Sequence, residues 1–235
     1  AGGSRGMLVR KPTGSGKTIT GPLIANRWLA MDKRNYAMVI THEVQLVDQF
    51  ADEIEDVLGW RPGIEQAGNY VGELTMPRIT VACRPSLLPR KVKRKVVEVD
   101  STGEEIFEYG EPEEISRLSK FDPIKRNWLV ILDECHRWKY SLTACRHIFD
   151  WFRQGAANWF LGLTATPIRG DGVSLAGILP DVALDYRMFD LDGGKSAVND
   201  GWAVPFDQRF INVEGVDFKN LRDLAGDFDP EQLES

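Results

Sequence analysis

Apolar residues along the chain fall into short runs separated by stretches of helical periodicity. Residues 7–9, 36–40, 79–82, 128–132 and 159–163 are runs of strand length, and Trp128-Leu129-Val130-Ile131-Leu132 is continuous, as in a strand buried on both faces of a parallel sheet. Between the first two runs, residues 17–31 read as a helix. Val44, Val47, Ala51, Ile54 and Leu58 recur at three- and four-residue steps, which predicts an amphipathic helix with Gly59 just past its end. Leu142, Cys145, Phe149 and Phe152 mark another helix, and residues 60–77 read as a loop holding one short strand. Strands alternating with helices predict an α/β fold: a doubly wound, mostly parallel sheet with helices on both faces. Such sheets bind ligands at the carboxyl ends of their strands.

Residues 90–127 interrupt this rhythm. Arg90 to Lys95 holds five basic residues in six, and Glu98 to Glu114 holds eight acidic residues and no basic one. Asp100-Ser101-Thr102-Gly103 is a turn signal between the β-prone runs 96–99 and 106–109, so an inserted β-hairpin is expected. Its basic edge suits either contact with a nucleic-acid backbone or protection of an exposed strand from aggregation.

Composition narrows the class without deciding it. The chain has 235 residues, of which 43% are hydrophobic and 27% charged, enough for a well-buried core. No apolar run has the length of a membrane span, and there is no signal-peptide pattern. Cys83, Cys135 and Cys145 are far apart and match no zinc or disulfide spacing, which suits a reducing, cytoplasmic setting. The net charge is −6, but residues 214–235 carry seven acidic and two basic residues, leaving the rest at −1. Charge therefore neither requires nor forbids a nucleic-acid partner.

Three short segments carry chemistry. Lys11-Pro12-Thr13-Gly14-Ser15-Gly16-Lys17-Thr18 lies between the first strand and the first helix, the order of a phosphate-binding loop. Gly14 and Gly16 let backbone N–H groups turn toward phosphates, at a helix N-terminus that adds positive dipole character. Lys17 suits the β/γ-phosphates and Thr18 a Mg²⁺ ion; Lys11 stands where the strict pattern has Gly. Asp133-Glu134-Cys135-His136 follows the buried strand 128–132. A carboxylate there needs a cation or water, so Asp133 is the expected second Mg²⁺ ligand, and Glu134 the residue that activates the attacking water. His136 is placed to join this box by a hydrogen bond to Gly162-Leu163-Thr164-Ala165-Thr166-Pro167, whose two hydroxyls end the next strand. Cys135 is expected to be a small buried residue.

In combination these residues resemble the first RecA-like motor domain of superfamily 2 helicases and translocases, in the branch with an Asp-Glu-x-His box. Residues 11–18 look like that family's motif I, 133–136 like motif II, and 163–171 (LTATPIRGD) like motif III. Residues 39–49 and 80–87 stand where two nucleic-acid-contacting motifs are expected. The continuation of motif III is most similar to helicase subunits of restriction enzymes and related phage or bacterial helicases.

The resemblance implies ATP hydrolysis with Mg²⁺, coupled to movement on DNA or RNA, with DNA favoured over RNA. It assigns Thr164 and Thr166 to coupling, and Thr41, His42, Arg84 and Arg169 to the nucleic-acid side. It further implies a motor domain over residues 1–213 and an acidic linker, 214–235, leading toward a second RecA-like domain. The adenine-reading segment that such domains carry upstream of motif I is not seen in these residues, so the chain is expected to be a fragment or a first domain. Because the second domain supplies arginines worth about 10³–10⁵ in turnover, hydrolysis by this chain alone is expected to be weak. Two other readings compete: a phosphate-loop enzyme acting without nucleic acid, and a nucleotide-binding module without useful hydrolysis.

Overall fold

The computed structural model describes residues 5–66, 68–92, 95–99, 105–109, 113–139, 142–167, 174–190, 194–204, 223–224 and 227–228. In chain order the main elements are β1 (Gly6–Arg10), α1 (Lys17–Met31), β2 (Asn35–Thr41), α2 (Gln45–Leu58), β3 (Gly63–Glu65) and β4 (Ile79–Cys83). After them come β5 (Arg90–Val92), β6 (Lys95–Val99), β7 (Glu105–Tyr109), β8 (Glu113–Ile115), β9 (Asn127–Leu132), α3 (Thr143–Arg153), β10 (Trp159–Thr164) and β11 (Asp181–Asp185). Seven strands form one sheet in the order β11-β1-β10-β9-β2-β4-β3, every neighbouring pair parallel. This is the expected RecA-like α/β architecture.

The apolar runs are continuous because both sheet faces are covered. Val9, Val39, Val81, Ile131 and Leu163 point to one face, where Ala25 and Leu29 of α1 and Val47, Phe50 and Ile54 of α2 close over them. Their alternates, Leu8, Met38, Ile40, Val130 and Leu132, point to the other face, against Cys145, Ile148, Phe149 and Phe152 of α3. Each fully buried large side chain stabilises the fold by about 1.5–3 kcal/mol. α2 stops at Gly59, whose N–H donates to the Glu55 carbonyl at 2.7 Å.

β11 was not anticipated. It lengthens the sheet beside β1, with a register shift between Leu8 and Val9, and all five of its residues are exposed. With no core behind it, DVALD carries no long apolar run to announce it.

The insertion is built as expected. β6 and β7 pair antiparallel from Lys95↔Tyr109 to Val99↔Glu105, and β5 pairs with β8 at its base, Arg90 opposite Ile115. The turn at 100–103 lies outside the described residues. The chain leaving β8 is fastened by Glu65, a fully buried carboxylate. It pairs with Arg117 at 2.9 Å and Lys120 at 2.5 Å and accepts from the Val71 N–H at 3.1 Å. Cys83, Cys135 and Cys145 are buried and free, and among the described residues no helix is long and apolar enough to cross a membrane. Arg169 and residues 168–173 lie outside the described residues. So does most of 214–235, of which Asp223–Leu224 and Asp227–Phe228 are described as a short antiparallel pair.

Candidate active site

Four strands end at the same edge of the sheet and bring the three chemical segments together. β1 runs into the loop 11–16, whose entry is pinned to β10 by the Lys11 N–H donating to the Thr164 carbonyl at 3.0 Å. Ser15 folds the loop on itself, its N–H and hydroxyl donating to the Pro12 carbonyl at 3.2 and 2.6 Å. Gly14 and Gly16 both have φ 78°, a left-handed conformation in which a side chain would be strained. Gly16 is the N-cap of α1 and offers no side-chain acceptor to the first N–H groups of the helix, which suits an anion there. Lys11, at the position where the strict pattern has Gly, donates from Nζ to the Thr20 hydroxyl at 3.0 Å, and Thr20 donates to the Gly16 carbonyl at 2.8 Å. The departure from Gly thus braces the first turn of α1.

Lys17 emerges from that turn with only 10% of its side chain exposed. Its Nζ is buried and makes no hydrogen bond; its ion-pair partner is Glu134 Oε1, at 3.3 Å. Thr18 donates to Glu53 Oε1 of α2 at 3.2 Å. A buried ammonium with protons to spare, in the first turn of a helix whose N-cap carries no side-chain acceptor, fits a polyphosphate. Thr18 and Asp133 are hard oxygen ligands and fit Mg²⁺, an ion that takes few ligands from protein and completes its shell with phosphate oxygens and water. Among the described residues no cluster of three or more His, Cys, Asp or Glu residues forms a metal site by itself.

β9 delivers the acidic box. The Asp133 N–H continues the ladder to β2 by donating to the Ile40 carbonyl at 3.1 Å, and the Trp138 indole N–H donates to the Asp133 carbonyl at 3.2 Å. The carboxyl group is 6% exposed as a residue; burial first, and the neighbouring Glu134 charge second, push its pKa up to about 6. Lys17 opposes that shift. Glu134 has φ 43°, unique among the described non-glycine residues, which turns its carboxylate back toward Lys17. The left-handed region is strained for such a side chain.

His136 Nδ1 lies 2.9 Å from Thr164 Oγ1 and 3.3 Å from Glu134 Oε2. The Thr164 hydroxyl donates to the Thr166 carbonyl at 3.0 Å and accepts from the Thr166 N–H at 3.1 Å. Burial chiefly holds the His136 pKa below the usual histidine value, with the Glu134 charge opposing. Cys135 is buried, and that burial pushes its thiol pKa far up, which leaves it unreactive.

The other sequence candidates are placed differently. His42 lines the same cleft: its side chain is 9% exposed, Nε2 lies 3.0 Å from Glu43 Oε1, and Nδ1 is buried without a hydrogen bond. Thr41 is fully buried and donates to the Glu43 carbonyl at 2.9 Å, so it shapes the loop that carries His42. Arg84 stays outside the cleft, its guanidinium 5.5 Å from the Trp138 ring centre and 3.5 Å from the Arg137 carbonyl. Together the loop, the acidic box and α2 enclose a cleft of about 830 Å³. Sequence reasoning missed Glu53, and with it the α2 stripe Leu46, Gln49, Phe50 and Glu53 that walls this cleft. Their helical spacing was the available signal, hidden because the apolar face of α2 dominated the pattern.

Residues 2–169 match the family described as type III restriction enzyme, res subunit. No curated protein matches the chain. Among solved structures, the chain is similar to the Hef helicase domain of Pyrococcus furiosus, with a TM-score of 0.50 and 19% identity, over 74% of this chain and 32% of that one. It is also similar to the DUF1998 helicase MrfA bound to DNA and AMPPNP, with a TM-score of 0.50 and 15% identity, over 77% of this chain and 24% of that one. At these identities the likeness is one of fold, and the chain spans a third or less of either protein.

Proposed function

Because the chain belongs to the family of type III restriction enzyme res subunits, we propose that it is the ATP-binding first motor domain of a nucleic-acid translocase or helicase. The observation that carries the proposal is the meeting of Lys17, Asp133, Glu134 and His136 in one cleft, with Thr164 joined to it through His136. On this reading Pro12, Thr13, Gly14, Ser15 and Gly16 form the backbone cradle of the triphosphate, and Lys17 neutralises its β/γ-oxygens. Thr18 and Asp133 would hold Mg²⁺, which when bound draws charge from the leaving and transferred phosphates. Glu134 orients the attacking water and takes its proton. Lys17 already faces Glu134 at 3.3 Å, so nucleotide binding transfers the lysine from carboxylate to phosphate and leaves Glu134 available to water.

Thr164 and Thr166 would pass the state of the site to the strand end beyond it. Nucleic acid, DNA in the first instance, is the proposed track, as in the MrfA structure, which is bound to DNA. Residues 1–213 form the proposed motor domain, and 214–235 the proposed link to a partner domain that supplies arginines to the same phosphates. The test is ATP turnover by a chain carrying both motor domains, with and without single- and double-stranded DNA or RNA. Stimulation by DNA is the expected result. Turnover indifferent to every nucleic acid would overturn the motor reading and favour a phosphate-loop enzyme of another kind.

A further inference from the structure

We infer that Glu53 is a positioning residue for the metal ligand Thr18, an inference that rests on the Mg²⁺ site proposed above. The Thr18 hydroxyl donates to Glu53 Oε1 at 3.2 Å. A threonine hydroxyl has one proton and two lone pairs. When the proton is directed to a fixed carboxylate, the lone pairs are left for a cation, and the negative partner raises the basicity of the oxygen. Groups just behind a ligand orient metal sites in this way, and removing one typically lowers metal affinity by about 10–100-fold. Helix geometry makes the arrangement specific. Thr18 occupies the second position of α1, where a threonine can instead turn its hydroxyl back to the backbone, as Thr20 does toward Gly16. Thr18 reaches across to α2. Glu53 in turn is held in place because its helix is anchored by Phe50 and Ile54, both buried in the core beneath α1 and α2. The same residue lines the cleft, so its charge also faces whatever enters.

The role predicts a signature that packing alone does not produce. Binding of a fluorescent ATP analogue to this chain is measured in EDTA and across a Mg²⁺ titration, for wild type, Glu53→Gln, Glu53→Ala and Thr18→Val, with thermal melting as the fold control. Glu53→Ala is expected to raise the Mg²⁺ concentration needed for half-maximal binding by about 10-fold or more, with affinity in EDTA unchanged or slightly improved. Glu53→Gln, which keeps an acceptor oxygen, recovers part of the loss. Adding Glu53→Ala to Thr18→Val brings no further loss, because the two act through one oxygen. If Thr18→Val shifts the Mg²⁺ requirement and Glu53→Ala does not, the role of Glu53 is refuted and the metal site stands. If neither shifts it, the metal site and the role of Glu53 are both refuted. If Glu53→Ala weakens binding equally with and without Mg²⁺, Glu53 serves packing and the inference fails.

Discussion

His136 Nδ1 lies 2.9 Å from the hydroxyl oxygen of Thr164. Glu134 Oε2, at 3.3 Å from the same nitrogen, is an acceptor, and the Thr164 hydroxyl is placed to donate to the Thr166 carbonyl, an arrangement that favours the imidazole proton on Nδ1. Burial lowers the pKa of the ring and so favours its neutral form, with the Glu134 charge opposing. One N–H thus ties the carboxylate proposed to handle water to the end of β10. A hydrogen bond of this kind contributes about 0.5–1.5 kcal/mol. The unfolding free energies of His136→Ala, Thr164→Val and the double variant should give a coupling in that range. A coupling near zero would mean that the contact does not join the two strand ends. In a chain with both motor domains, either variant should retain ATP binding while losing much of any stimulation by nucleic acid.

Replacing Glu134 by Gln should leave ATP-analogue affinity within a few-fold of wild type and lower turnover by about 10²–10⁴. Turnover that survived would move the water-activating role elsewhere. The backbone at Glu134 makes a separate forecast. Of the two variants that lack the carboxylate, Glu134→Gly should be more stable than Glu134→Ala by about 1 kcal/mol, because only glycine adopts φ 43° without strain. Chemical denaturation of the pair is the check.

Asp133 gives the pH dependence its sign. Its folded pKa of about 6 lies above the usual carboxylate value, so between these limits the folded state holds more protons than the unfolded one. This group therefore stabilises the fold as pH falls from about 7 to 4 and loses that contribution as pH rises through 6. Asp133→Asn removes the buried charge and should stabilise the fold by about 1–3 kcal/mol at pH 8, with little gain at pH 4. Mg²⁺ needs the ionised form, so metal-dependent nucleotide binding should weaken below about pH 6. Urea titrations and nucleotide binding across that range decide both points.

Glu65 is expected to matter for folding and not for nucleotide. Removing a carboxylate that two cations and an N–H share in the interior takes the counter-charge from both cations, and Glu65→Ala should lose about 3–5 kcal/mol. A loss below 1 kcal/mol would show that Arg117 and Lys120 find other partners.

Most of the sheet could be read from sequence because its central strands are covered on both faces, which writes continuous apolar runs such as 128–132. The glycine turn at 14–16 and the acidic residues after β9 were legible for a related reason: few residue types satisfy a left-handed turn, and a carboxylate at a buried strand end stands out. What escaped had no such local constraint. β11 pairs through its backbone with both faces exposed, so its side chains carry no pattern. Glu53 is one acidic residue among several on a polar helix face, and only the packing of α2 against α1 singles it out. Thr41 was expected on the nucleic-acid side from its motif; the bond of its hydroxyl to the Glu43 carbonyl, across the turn into α2, had no signal in the sequence.

The pairing of Arg90 with Ile115 has a consequence for how this domain tolerates change. Opposed residues of an antiparallel pair sit about 4.5–5.5 Å apart, close enough for a tight turn to bridge. The stretch between them is therefore a cassette whose two ends meet at one doorway of the domain. Closing a longer segment across that doorway raises the entropic free-energy cost by only about 0.6 kcal/mol per doubling of length. Exchange of the whole stretch should leave the spacing of β4 and β9 undisturbed, so the domain can acquire a new appendage without rebuilding its sheet.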